Sequence, residues 1–85
     1  MPKTIHRAEY RQLIRKLREA REQAGLTQVQ LARGVRKRQT WLSDIEIGTR
    51  RLDVIELRDL CRAMDIDFID FLRDFERSLV SPSRR

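Results

Sequence analysis

The residues best suited to chemistry in this chain are short hydrogen-bonding side chains, Gln39, Thr40, Ser43 and Asp44, standing just behind three cations, Arg36, Lys37 and Arg38. A glutamine amide sets an N–H beside a carbonyl and so matches adenine N6 and N7. Thr and Ser bond either kind of base edge or meet a thymine methyl, and a carboxylate accepts from cytosine N4. Gln39 is the first choice for a base contact. The long cationic side chains suit phosphates on a groove wall, with Arg38 also able to reach a guanine; the alternative is a patch that serves solubility. Asp44 reads two ways, as an acceptor from cytosine or as the ion-pair partner of Arg50 or another loop cation, because a carboxylate facing a duplex is otherwise repelled by its phosphates.

Other chemistries are poorly supplied. The one cysteine, Cys61, has no partner for a disulfide, and with the one histidine, His6, it cannot complete a four-ligand zinc site, so no metal and no cofactor is expected. No nucleophile–base pair or Gly-rich phosphate loop is found, which argues against an enzyme. Cys61 reads as a small buried hydrophobe and His6 as a surface residue. With 85 residues and 10.2 kDa there is material for one domain and no roomy cleft between lobes. No apolar run exceeds two residues, so neither a membrane span nor a signal-peptide core is expected, and the location expected is cytoplasmic.

The net charge of +6 favours a polyanionic partner. Residues 1–38 hold eleven Lys or Arg against three Asp or Glu, whereas residues 39–85 hold eight against ten. A basic face with an acidic back orients a molecule as it nears a phosphate backbone, which uniform charge would not do.

The elements that must position these residues are helical throughout. Proline occurs only at Pro2 and Pro82, and apolar residues recur at helical spacing with no strand alternation. An all-α fold of five helices is expected, over about 7–24, 28–34, 38–47, 54–64 and 68–79, within a domain spanning 7–80. Residues 1–6 form an N-terminal arm and 81–85 a flexible tail on this reading. Gly25, Gly34 and Gly48 fall where helices should end. Tyr10, Leu13, Leu17, Ala20 and Ala24 make the buried stripe of the first helix. Its outward charges, Arg11, Arg15, Arg18, Glu19 and Glu22, read as a solvated face with pairs such as Arg15 and Glu19. Thr27 is a reasonable N-cap for a short second helix packing through Val29, Leu31 and Ala32. In the third helix, a projection at about 100° per residue puts Trp41, Leu42 and Ile45 on one arc and Gln39, Thr40, Ser43, Asp44 and Ile47 on the other. Trp41 reads as a core-edge aromatic. Asp53 with Glu56 has capping-box spacing before a helix that can bury Ile55, Leu57, Leu60, Cys61 and Met64, and Asp67 with Asp70 repeats the device. The stripe Phe68, Phe71, Leu72, Phe75 and Leu79 is wider than one neighbouring helix needs.

Two short helices joined briefly, the second with a polar face, outline a helix-turn-helix. The string LRxxRxxxGLTQxxLA from Leu17 to Ala32, then W-L-S-x-I-E-x-G from Trp41 to Gly48, then Arg50-Arg51-Leu52-Asp53, resembles the Cro and phage-repressor, or XRE, family over residues 10–73. The resemblance implies a compact lambda-repressor-like five-helix bundle that binds DNA. It implies that Gln28, with Thr27 beside it, meets a phosphate and that Gln39, Thr40, Ser43 and Asp44 read bases. It also implies that Gly48, Thr49, Arg50 and Arg51 approach phosphates, and that Arg21 and Glu46 form an ion pair. Three departures stand out: Arg36 occupies a turn position that is usually glycine, Asp44 one that is often Gln, Lys or Arg, and Ile47 one that is usually Asn.

One recognition helix reads too few base pairs to select a single operator from a genome. A homodimer on a pseudo-palindromic operator is therefore expected, with Phe68, Phe71, Phe75 and Leu79 as candidate contacts; the alternative is that the phenylalanines all serve the monomer core. The expected role is a sequence-specific transcriptional regulator, a repressor that blocks a promoter. The rival is an antitoxin-type module that binds a protein partner through the last helix or tail, with DNA binding secondary.

Overall fold

A computed structural model describes residues 7–79. Five helices follow one another: α1 (Ala8–Gln23), α2 (Gln28–Gly34), α3 (Gln39–Glu46), α4 (Val54–Ala63) and α5 (Phe68–Leu79). The fold is all-α. The expected bounds differ by a residue at several ends, and the expected arm at 1–6, with His6, and tail at 81–85 lie outside the described residues.

Three starts, those of α2, α4 and α5, are set by side chains that replace missing backbone partners, whereas Arg7 before α1 and Arg38 before α3 supply no such bond. Thr27 accepts from the backbone N of Gln30, whose side chain accepts from the Thr27 N–H; Asp53 and Glu56 do the same for α4. At α5, Asp67 accepts from the N–H of Asp70. Each such cap contributes about 1 kcal/mol.

Stops share one device. α1 to α4 are each followed by a residue at positive φ: Gly25 at 75°, Arg36 at 61°, Gly48 at 87° and Asp65 at 60°. Arg36 stands where the family pattern has glycine, and the structure keeps the turn by forcing an arginine into the left-handed region. Gly34 ends α2 at the expected place, as its last residue, but without positive φ; a Cβ there would sit 3.4 Å from the Ala63 Cβ, at the edge of ordinary contact with α4.

α1 packs on α3 and α5, α2 on α3 and α4, and α4 on α5. Leu17, Leu31, Leu42, Ile45, Leu60 and Cys61 are fully buried at the centre. The α1 stripe is rotated from the expected one: Ile14 and Arg21 are buried with Tyr10 and Leu17, Leu13 and Ala20 are half-buried, and Ala24 is exposed. Val29 and Ile55, both expected to pack, are exposed as well. Arg15 does not pair with Glu19; the exposed pair on that face is Arg18 with Glu22, one turn on. Burial pushes the Cys61 thiol up to about 11, leaving it protonated and inert near neutrality. α5 is pinned to α1 by Phe71 in the core and by Lys16 and Asp74 at 2.6 Å, and the hydrogen bond from Lys16 holds the Asp74 carboxyl below its ordinary value.

Candidate nucleic-acid interface

A hydrogen-bonded relay runs from the interior of α1 to the exposed start of α3. Arg21, 9% exposed, donates to both carboxylate oxygens of Glu46, from Nε at 2.7 Å and Nη2 at 3.1 Å, and from Nη1 to the Leu26 carbonyl at 2.8 Å. Gln28 Nε2 donates to Glu46 Oε1 at 2.8 Å, and Gln39 Nε2 donates to Gln28 Oε1 at 2.6 Å. The direction of the chain is forced. A carboxylate only accepts, so Gln28 must turn its amide nitrogen to Glu46 and its oxygen to Gln39, which must answer with nitrogen. Gln39, which is exposed, is left with Oε1 and one N–H beyond the relay, a donor and an acceptor of the kind that adenine N6 and N7 match.

Around Gln39 the expected readout residues share the outer arc of α3. Thr40 and Asp44 are exposed and Ser43 is half-buried, while Leu42 and Ile45 hold the helix to the core. The Asp44 carboxylate forms no ion pair among the described residues, so the expected pairing with Arg50 is not made. Its carbonyl instead organises the following loop, accepting from the N–H groups of Thr49 and Arg50 and from the Thr49 hydroxyl.

Arg50 is committed elsewhere. Its guanidinium donates to both oxygens of Glu56 at 3.2 Å and to the Arg51 carbonyl at 2.8 Å, and it lies 5.4 Å from the centre of the Trp41 ring. Lys37 sits 5.5 Å from the same ring. Trp41, half-buried at the core edge, thus gathers one cation from each side of α3; its Nε1 is buried with no partner among the described residues. Arg36, Lys37, Arg38 and Arg51 are exposed without an ion pair among the described residues, which leaves four uncompensated charges flanking the helix. Tyr10 braces the loop from beneath, its hydroxyl accepting from the Leu52 N–H at 2.9 Å.

Two residues expected at phosphates carry structural duties too. The Thr27 hydroxyl oxygen caps α2 and retains its proton to donate, and the Gln28 side chain keeps only one Nε2 hydrogen beyond the relay. That Gln28 orients Gln39 was not foreseen in the sequence. The one signal was that both are amides in a motif whose helices pack together.

A helix carrying its polar arc outward, braced by a preceding short helix capped at Thr27, is the helix-turn-helix arrangement, and a family model for the helix-turn-helix domain matches residues 12–68. The chain belongs to the XRE-type helix-turn-helix family. An XRE-family-like protein from Pseudomonas syringae pathovar tomato is 42% identical, with a TM-score of 0.82 over 91% of this chain and 94% of that one. The clp gene regulator ClgR from Corynebacterium glutamicum is 25% identical, with a TM-score of 0.75 over 88% and 97%. The restriction-modification controller protein from Aeromonas hydrophila is 26% identical, with a TM-score of 0.65 over 76% and 99%. No match was found among curated proteins. Within this XRE-type domain no helix of the described residues is long and apolar enough to cross a membrane.

Proposed function

We propose that this XRE-type protein is a sequence-specific DNA-binding transcriptional regulator that lays α3 in the major groove and represses by occluding a promoter. The observation that carries the reading is the relay ending at Gln39. An exposed glutamine ordinarily loses about 0.5–1.5 kcal/mol of rotamer freedom on binding. Here a hydrogen bond to Gln28 already restrains the Gln39 side chain, which supports the reading.

Gln39, Thr40, Ser43 and Asp44 contact bases on this reading, Asp44 as an acceptor from cytosine N4. Thr27, the remaining Gln28 hydrogen, Arg36, Lys37, Arg38, Arg51 and the Gly48–Thr49 backbone position the domain on phosphates. Arg50 contributes charge to the loop while Glu56 holds its shape. Two of the similar structures are a regulator and a controller by name, which supports the regulatory role.

The regulator acts as a homodimer, with recognition helices about 34 Å apart on a pseudo-palindromic operator. Phe71 is 6% exposed and belongs to the core, which removes it from the expected contact set. Phe68, Phe75 and Leu79 remain half-buried along α5, and Phe75 and Leu72 border an apolar cleft with Leu13, Val54 and Leu57. The place of action is the cytoplasm, on the nucleoid.

Selection of bound duplexes from a random library, with the native chain and with Gln39→Ala, tests the assignment. The variant should lose about 1–3 kcal/mol of discrimination at one or two base positions while non-specific affinity changes little. Equal weakening on every sequence would remove Gln39 from the bases.

A further inference from the structure

Between α1 and the end of α3 the surface opens into a trench of about 500 Å³, bordered by Tyr10, Ile14, Arg15, Arg18, Ile47 and Thr49. Its wall is apolar where Ile47 stands 67% exposed, and its rim is cationic. Arg15 forms no ion pair among the described residues. Arg18 meets only the exposed Glu22 at 3.3 Å, a pairing that water and salt weaken readily. The acid on the wall, Glu46, is neutralised by Arg21 and does not repel an anion. Ile47 lies on the same arc of α3 as Gln39, Ser43 and Asp44, so the trench continues the surface that faces the duplex.

We propose that this trench seats the sugar–phosphate strand bordering the groove that α3 enters, with Arg15 and Arg18 on successive phosphates and Ile47 against the deoxyribose between them. The inference rests on the DNA-binding reading and extends its footprint onto α1. Residues three apart on a helix share one side, so both guanidinium groups reach the same strand. A nucleic-acid strand alternates an apolar sugar with an anionic phosphate, matching an isoleucine wall under an arginine rim. An acidic protein segment would also answer the charge. The duplex is favoured because the trench is continuous with the Gln39–Asp44 arc and with the Gly48–Thr49 loop.

Anisotropy titrations of the full chain on its selected duplex, across roughly 50–200 mM salt, decide the matter. Arg15→Ala and Arg18→Ala should each reduce the slope of log affinity against log salt by about 0.9 for each bound copy, so that affinity falls about 3.5-fold less per copy over that fourfold range of salt. Base preference should stay unchanged. Arg58→Ala, on the α4–α5 side, serves as the control and should leave the slope alone. All three side chains are exposed, and an unaltered melting temperature shows that folding is kept. Unchanged slopes in both α1 variants, with native binding intact, would take the trench off the duplex and overturn the proposal while leaving the function standing. An equal fall in Arg58→Ala would reduce the effect to net charge and also overturn it. Failure of the native chain to bind any duplex would overturn both readings.

Discussion

Glu46 has a side chain only 3% exposed and accepts three hydrogen bonds, two from Arg21 and one from Gln28. Removing it strands a guanidinium inside the protein, a loss of about 3–5 kcal/mol in comparable buried pairs. Domains of this size hold only about 5–15 kcal/mol in total. Glu46→Ala should therefore lower the thermal midpoint by at least about 12 °C, followed by circular dichroism, since each kcal/mol moves it by about 4–8 °C. A shift under about 4 °C would put the pair on the scale of surface ion pairs. The partners that the sequence displayed best were neighbours along the chain. Asp53 and Glu56, three apart, cap α4 because nothing distant intervenes. Gln28 and Gln39 are eleven apart, and their meeting depends on how α2 crosses α3. The choice of Arg50 between Asp44 and Glu56 was likewise hidden: both lie six residues away, and the route of the loop, with the Asp44 carbonyl holding the Thr49 and Arg50 amides, delivers the guanidinium to Glu56.

The turn between α2 and α3 is the least comfortable part of the backbone, because Arg36 at φ 61° sets its Cβ against the following carbonyl. Arg36→Gly relieves that contact and should raise stability by about 0.5–1 kcal/mol, read from urea midpoints, net of the flexibility that glycine adds to the unfolded chain. On the proposed reading the same change removes one phosphate-directed charge from each bound copy, so the salt slope of duplex binding should fall by about 0.9 per copy. A more stable variant with an unchanged slope would show that Arg36 faces away from DNA. At this scale the number, order and type of the helices were legible, because periodicity and caps are local. The stops were legible only in part. Gly25 and Gly48 carry the positive φ expected of them, but the third glycine, Gly34, does not, and an arginine takes the turn. The buried arc of α1 shifted toward Ile14 and Arg21 because a guanidinium satisfied by Glu46 and the Leu26 carbonyl can occupy a core position that composition would assign to alanine.

Over the whole molecule the charge imbalance acquires a direction. The uncompensated cations Arg36, Lys37, Arg38 and Arg51 surround the outer arc of α3, while exposed Asp67, Asp70, Asp74 and Glu76 outnumber Arg73 and Arg77 at the start of and along α5, with Asp70 paired to Arg73 and Asp74 to Lys16. On the proposed reading such a dipole would draw α3 toward a duplex and turn α5 away from it, leaving α5 to a second copy that need not meet phosphate. Sedimentation equilibrium at tens of micromolar protein should give about twice the 10.2 kDa chain mass. Phe75→Glu should give the chain mass and weaken operator binding by about a hundredfold or more, through loss of bivalent attachment. Only monomer, with and without operator, would remove the dimer. The held amide of Gln28 has a consequence on a longer timescale. On the proposed reading, replacing Gln39 by a side chain that reads another base takes the donor from the Gln28 oxygen, and replacing Gln28 frees the Gln39 amide from its one hydrogen bond to the protein. Descendants of this chain that acquire a new operator should thus change positions 28 and 39 together, so that a binding preference is inherited as a two-letter word.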